Sequence, residues 1–310
     1  MNTNPGRLFL YCELARPATL VLPMVGILSG GFTAAAAMGD ARLPARGIPL
    51  LIAAAAAMLL NAASNTINQV ADLEVDRVNK PSRPIVRGAV HAGEAVIVSL
   101  VSYGAAIALA LTISVASATL FVAAAIATLI YSLPQFGRTK RFTWCSNLTI
   151  AIPRGCLLKV AGWSVIAPVN DLQPWIIGSV FALFLLGATT TKDFADVDGD
   201  RAAGCMTLPV RYGAQRSAWM IAPFFVLPWW LLPIATLIPD PSDSGAHLLK
   251  VDYPAMLVLA SLLTIWGIWI ARSILLDPLR LSTVENHPAW SSMYALAVTA
   301  HLGLVAAYWL

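Results

Sequence analysis

The sequence predicts an all-α polytopic membrane protein, a bundle of nine transmembrane helices, and three observations carry that prediction. First, 58% of the 310 residues are hydrophobic and only 12% are Asp, Glu, Lys or Arg. A soluble domain carries roughly 25% charged residues, so the chain has about half the charge needed to clothe a water-facing surface. Second, the apolar residues fall in unbroken runs of about 20, the length that crosses a bilayer as a helix, and lack the alternation of a β-barrel strand. Third, the basic residues between the runs crowd one side. The composition excludes a soluble globule, a disordered chain, a nucleic-acid-binding protein and a disulfide-stapled secreted domain. The four cysteines, Cys12, Cys145, Cys156 and Cys205, form no CxxC pair and read as free thiols.

In chain order, residues 1–6 are polar without a basic n-region or a small-residue cleavage pattern, so the first span is expected to direct insertion. Residues 7–17 mix Leu8, Phe9, Leu10, Tyr11 and Leu14 with Arg7, Glu13 and Arg16, as an interfacial helix stopped by Pro17 would. The spans follow at 17–37, 48–70, 92–113, 116–133, 146–167, 173–191, 217–238, 253–273 and 289–309. An odd number of spans puts the termini on opposite sides. Fifteen basic residues fall in loops on the N-terminal side, against Arg42, Arg46 and Lys250 on the other. That bias makes the N-terminus cytoplasmic, and the expected location is a prokaryotic plasma membrane. One membrane-embedded domain over 1–310 is expected, with Asp-rich cytoplasmic loops at 68–88 and 192–213.

Seven of the 16 carboxylates lie in two short windows. One holds Asn68, Asp72, Glu74 and Asp76, followed by Lys80, Arg83 and Pro84. The other holds Lys192, Asp193, Asp196, Asp198 and Asp200. Each begins where a span emerges on the cytoplasmic side. On a helix, positions four apart are offset by about 40°, so Asn68, Asp72 and Asp76 share a face. Asp193, Asp196 and Asp200 fall within about 60° by the same arithmetic. Stacked carboxylates repel unless a cation sits between them, and all-oxygen ligands suit Mg²⁺. Solvated helix ends would explain either window alone. Yet Asp72 to Asp196 and Asp76 to Asp200 are both 124 residues apart, which suggests a duplicated helical unit whose acidic faces look into one cavity. Metal-loaded, such faces clamp a diphosphate and stabilise it as a leaving group, with Lys80, Arg83, Lys192 and Arg201 available for phosphate contacts. A diphosphate at the mouth of an apolar bundle points to an isoprenoid diphosphate.

These residues make the chain resemble the UbiA-type intramembrane aromatic prenyltransferase family. Its first signature resembles NxxxDxxxD with a following KPxRP, here Asn68, Asp72, Asp76, Lys80, Pro81, Arg83 and Pro84. Its second resembles KDxxDxxGDxxxGxxTLP, here Lys192, Asp193, Asp196, Gly199, Asp200, Gly204, Thr207, Leu208 and Pro209. The resemblance implies nine helices around a central cavity open sideways to lipid. It implies that Asn68, Asp72, Asp76, Asp196 and Asp200 hold Mg²⁺, or Mn²⁺ in its place, and the diphosphate. Arg16 resembles a basic residue that reaches the same pocket, and Tyr131 a family Tyr near the loop that here carries Lys140 and Arg141. Many members have Asn-Asp where this chain has Asn68-Gln69.

The expected reaction is ionisation of the prenyl diphosphate and attack by an acceptor, an aromatic ring or quinol precursor, with Asp193 taking the proton. A terpene cyclase of the same architecture and a membrane transporter are the alternatives. Arg154 and Lys159 lie inside the fifth span, where a charge costs roughly 2.5–3.5 kcal/mol. Arg154, weakened into place by Pro153 and Gly155, is expected to face a polar cavity and contact the diphosphate or the acceptor. For Lys159 snorkelling or an ion pair is the plainer reading. His91, His247, His287 and His301 are scattered and read as non-ligands.

Overall fold

The computed structural model describes residues 6–39, 43–241, 243–283 and 287–310. Arg42, one of the basic residues read for sidedness, and Ser242 lie outside the described residues. The helices are α1 (Arg7–Ala15), α2 (Val21–Ala37), α3 (Leu43–Ala71), α4 (Leu73–Asn79), α5 (Ala92–Leu111), α6 (Val115–Ser132), α7 (Thr143–Ala151), α8 (Leu158–Ser164), α9 (Gln173–Ala188), α10 (Val197–Ala202), α11 (Leu208–Ile221), α12 (Leu231–Ala235), α13 (Tyr253–Leu276), α14 (Arg280–Thr283) and α15 (Pro288–Trp309). A two-residue strand β1 (Pro239–Asp240) pairs antiparallel with β2 (Asp243–His247).

Among the described residues eight helices are long and apolar enough to cross a membrane. They fall on eight of the nine expected runs. The fifth run is helical from Thr143 to Ser164 but comes in three pieces: α7, a π-helical turn Ile152–Leu157, and α8. Pro153 has no amide to donate, and the wider turn accommodates the missing bond. The sixth span runs on as a 3₁₀ turn to Phe194, and the seventh starts early, at Leu208, broken at Gly213 where φ is 77°.

Outer faces carry what a soluble protein would hide. Ile97, Leu100 and Val101 on α5 and Val258, Leu262, Ile265 and Trp269 on α13 are exposed large apolar side chains. Their spacing of three and four places each set on one stripe, as a lipid-facing surface requires.

Inside, the apolar residues form two main cores. One joins α2, α3, α5, α6 and α8, around Ile27, Phe121 and Trp163; the other joins α9, α11, α12, α13 and α15, around Phe184, Trp229 and Leu263. A third, small cluster seats α1 through Leu10 and Leu14. Arg7 and Tyr11 of α1 both bond Glu94 at the start of α5, at 3.0 and 2.5 Å. The β-hairpin sits beside the start of α9, where Gln173 Oε1 accepts from the Lys250 amide and the Tyr308 hydroxyl, both at 2.9 Å. That is the opposite end of the bundle from the Asp windows, which follow the last turns of α3 and α9.

Candidate active site

The two Asp windows are built alike. α3 ends at Ala71, Asp72 takes φ −97° and ψ 12°, and α4 begins. After α9 and its 3₁₀ turn, Asp196 takes φ −104° and ψ 9°, and α10 begins. The same step, 124 residues apart, bends each window across the mouth of the bundle. The face arithmetic survives in the first window, where the amides of Asp72 and Asp76 still bond the carbonyls four residues back. In the second, a 3₁₀ turn runs through Asp193, and at about 120° per residue it keeps positions three apart, such as Asp193 and Asp196, on one side. Asp193 is buried there, within range of the charges of Lys192, Asp196 and Asp200.

α4 and α10 pack directly against each other. Asn79 Nδ2 donates to the Asp196 carbonyl at 3.3 Å. A Cβ at position 199 would lie 2.2 Å from that same Asn79 nitrogen, so the contact requires Gly199.

Cations occupy the space between the acids. Asp72 Oδ1 accepts from Arg138 Nη2 at 2.7 Å, and its Oδ2 from Lys140 Nζ at 2.6 Å and Asn68 Nδ2 at 2.9 Å. Lys140 Nζ also lies 3.9 Å from Asp200 Oδ1, so one ammonium spans both windows. Arg83 pairs with Asp76, and Lys80 Nζ lies 3.2 Å from Asp196 Oδ1. That oxygen has no well-angled donor among the described residues. Burial raises the Asp200 carboxyl to about 6 despite Lys140, and raises that of Asp76 despite Arg83. Burial also works against ionised Asp72, but Lys140 and Arg138 outweigh it and hold the carboxyl below its ordinary value.

Arg138 adopts a left-handed backbone, φ 41°, a strain of roughly 1–3 kcal/mol that its bond to Asp72 helps to offset. The loop that carries it is stitched to the second window: the Met206 amide bonds the Arg141 carbonyl at 3.0 Å, and Thr143 Oγ1 the Met206 carbonyl at 2.7 Å.

Among the described residues no three acidic, His or Cys side chains converge on one point. The donor set nevertheless suits a hard divalent ion. It is all oxygen, Asp72, Asp76 and Asp200 are buried, one cation already bridges it, and Asp196 Oδ1 is left with lone pairs to spare.

Below this mouth lies a cavity of about 860 Å³, its open side included, lined by Thr19, Leu22, Arg154, Phe181, Lys192 and His301 among others. Lys192 Nζ donates to the Tyr131 hydroxyl at 3.2 Å. Arg154, on the π-helical turn, faces the cavity and makes no ion pair among the described residues. It also lines a second, apolar recess of about 420 Å³, its open side included, walled by Leu120, Phe121 and Ala124. Burial and the nearby guanidiniums of Arg83 and Arg154 lower the pKa of Arg16, which places three basic side chains around one region.

Arg16 is set there by its own left-handed turn, φ 56°. Gln69 holds that turn: its buried amide donates to the Leu14 carbonyl at 2.8 Å, while Asn65 donates to the Ala15 carbonyl at 2.9 Å. An aspartate at position 69 would have no hydrogen to donate, so the Asn-Gln form of the motif has a structural reason.

The sequence-predicted residues Asn68, Asp72, Asp76, Lys80, Arg83, Lys140, Asp196 and Asp200 thus meet at one mouth, and Arg154 and Lys192 line the cavity below it. Arg138, and Asn61 and His301, which line the cavity, were not singled out as site residues. Arg138 sits two residues from Lys140 in a basic loop, a visible signal; Asn61 and His301 carry none.

A pair of matched acidic steps over an apolar, cation-lined cavity in a helical bundle is the arrangement of an enzyme built inside a membrane. The model of the UbiA prenyltransferase family matches residues 24–283, and the chain belongs to that family. It is a multi-pass membrane prenyltransferase. It is 30% identical to a digeranylgeranylglyceryl phosphate synthase of Natronomonas pharaonis over 95% of this chain and 96% of that protein. It is 34% identical to the synthase of the same name from Halobacterium salinarum over 73% and 76%. Among solved structures, one of a digeranylgeranylglyceryl phosphate synthase is similar with a TM-score of 0.70 at 21% identity, covering 97% of this chain and 98% of that one. A UbiA homolog from Archaeoglobus fulgidus bound to GPP and Mg²⁺ has a TM-score of 0.68 at 18% identity, covering 96% and 99%.

Proposed function

We propose that this chain transfers a prenyl group from an isoprenoid diphosphate to a free hydroxyl of a glyceryl phosphate that already carries one lipid chain, with release of diphosphate. The observation that carries the reading is the bridged pair of Asp windows over a cavity whose own cations, Arg154 and Lys192, have no carboxylate partner among the described hydrogen bonds and ion pairs. A site with cations to spare suits two anionic substrates, a diphosphate and a phosphate monoester. The names of the relatives support the same acceptor over the aromatic ring expected from the sequence.

Asn68, Asp72, Asp76, Asp196 and Asp200 would hold Mg²⁺, which when bound neutralises the diphosphate and makes it a better leaving group. Lys140, Arg138, Lys80 and Arg83 rest on the carboxylates and are within reach of diphosphate oxygens at the same mouth. Lys192, steadied by the Tyr131 hydroxyl, points a further ammonium into the cavity from that end. As the allylic C–O bond breaks, the electron pair leaves with the diphosphate and the acceptor hydroxyl oxygen bonds the exposed carbon. Asp193, beside Lys192, takes the hydroxyl proton. Leu22, Phe184, Leu185 and Met293 wall the cavity and keep water from the cation. Arg16 and Arg154 hold the acceptor phosphate.

The Asp-rich mouth faces the cytoplasm in this reading, and 1–310 acts as one domain. The test is mass spectrometry of products from purified protein, labelled prenyl diphosphate and a panel of acceptors. A glyceryl phosphate adduct supports the reading; an aromatic adduct, a cyclised hydrocarbon or no turnover each replaces it.

A further inference from the structure

Helices α2 and α8 cross at backbone contact. A Cβ at Gly162 would lie 2.1 Å from the Ile27 carbonyl oxygen, and one at Gly30 would lie 2.5 Å from the Lys159 carbonyl oxygen. The closeness presses the Lys159 side chain onto Ser29. Lys159 is 0% exposed, so it does not snorkel, and it has no carboxylate partner among the described residues. Its Nζ donates to Ser29 Oγ and lies 5.0 Å over the Phe181 ring centroid. Ser29 Oγ is 2.9 Å from His301 Nδ1, and the His301 ring stacks on Phe181 with centroids 4.0 Å apart and planes 8° apart.

Hydrogen accounting orients this chain. Ser29 has one hydrogen to give. Lys159 donates to one lone pair of its oxygen, and among the described hydrogen bonds His301 Nδ1 is the one group left to take that hydrogen. The imidazole proton is then on Nε2, which bonds no described protein atom while His301 lines the cavity of Arg154 and Lys192. His301 lies eleven residues beyond Trp290, another lining residue, a helical rise of about 16 Å. The donor therefore stands at the deep end, beside Gly26 of α2 and the Phe181 ring.

A hydrocarbon tail offers nothing to such a donor, and an unmet buried N–H costs roughly 1–3 kcal/mol. A chain linked to glycerol through oxygen offers an acceptor at depth. We propose that Lys159, Ser29 and His301 form a relay that holds His301 as an Nε2–H donor, and that this donor recognises the ether or ester oxygen in the lipid part of the acceptor. The inference rests on the glyceryl phosphate reading. His301 touches substrate; Ser29 and Lys159 are positioning residues.

The experiment has two arms on the full-length protein in detergent. In the first, ¹⁵N NMR of histidine-labelled protein, with His301 assigned by comparison with His301→Gln, reads the tautomer without substrate. The expected wild-type state is Nε2–H with bare Nδ1; Ser29→Ala and Lys159→Met should mix the tautomers, and Ser29→Thr should restore the wild-type signal. In the second arm, a glyceryl phosphate lipid with an ether-linked chain is compared with its analogue carrying CH₂ in place of the ether oxygen. The wild type should favour the ether in kcat/KM by at least about tenfold. His301→Phe should discriminate less than about twofold, with the KM for prenyl diphosphate unchanged within about twofold. An Nδ1–H tautomer in the wild type overturns the relay, and undiminished discrimination by His301→Phe overturns the oxygen contact. If the wild type uses neither lipid, the acceptor reading fails and the contact with it, while the tautomer still judges the relay.

Discussion

Replacing Lys140 by Met removes an ammonium that spans both Asp windows and keeps most of its stem. Lys140 Nζ lies 2.6 Å from Asp72 Oδ2 and 3.9 Å from Asp200 Oδ1, with side chains only 12%, 3% and 2% exposed, so water screens the set poorly. Removing one partner of a buried pair costs roughly 3–5 kcal/mol. Arg138 and Asn68 still bond Asp72, which places the loss near the lower end, about 3 kcal/mol. The loss should depend on pH, with a definite sign. Asp200 titrates near 6 in the fold because it is buried, against about 3.9 in an unfolded chain. An acid raised in this way destabilises the fold as pH climbs from the unfolded value towards 6, and fully above it. Lys140 is the foremost group opposing that rise, so its loss enlarges the penalty. Asp72 is held low in the wild type chiefly by Lys140, so without Lys140 burial lifts its carboxyl as well and adds to the penalty in the same direction. Thermal melting of detergent-purified Lys140→Met in EDTA should therefore fall well below wild type at about pH 7.5 and recover in part at about pH 5, where Asp200 takes a proton. Added Mg²⁺ should stabilise the variant more than the wild type. Equal melting at the higher pH, or no recovery at the lower, would show that Lys140 does not bridge the windows.

Turnover should require Mg²⁺, and Asp72→Asn or Asp196→Asn should abolish it in protein that still folds; full activity in excess EDTA refutes the metal assignment. Arg154→Ala should lower kcat/KM at least roughly tenfold, about 1.4 kcal/mol of transition-state stabilisation, and steady-state kinetics at wild-type level would make Arg154 structural only. In a cysteine-free background, single cysteines at the exposed positions 77 and 198 should resist an impermeant thiol reagent in intact cells while one at position 246 reacts; labelling at 77 or 198 reverses the topology. Gly199→Val should uncouple α4 from α10 by driving into Asn79, and a diphosphate-binding assay unaffected by it would refute the need for that contact.

The hydrophobic runs were legible because span length and apolarity are local properties, and eight of the nine appear as helices that can cross a membrane. The fifth run was harder to read. Pro153 and Gly155 marked a weak point, but the π-helical turn that aims Arg154 into the cavity depends on packing against α9. The acids were legible as two spaced windows, yet their counter-ions were not. Arg138 and Lys140 reach Asp72 from residues 66 and 68 positions away, and no periodicity announces such a contact. Gln69 looked like a departure from a motif until the Leu14 carbonyl gave it a partner. Lys159 looked like an ordinary snorkelling lysine until two glycines brought α2 against it. In each case the missing information lay in the meeting of distant segments.

The same limit separates the two windows from each other. Their spacing of 124 residues and their matching backbone step at Asp72 and Asp196 give the halves one framework. Their charge environments differ. Asp72 accepts from Arg138, Lys140 and Asn68, whereas Asp196 Oδ1 has Lys80 at 3.2 Å and no well-angled donor among the described residues. The difference arises in the loop between α6 and α7, which places Arg138 and Lys140 on Asp72 while its backbone is bonded to the second window. Because the loop is tied to one window and neutralises the other, moving either window disturbs the ion pairs of both. The two acidic steps therefore act as one site, and the basic loop is what couples them.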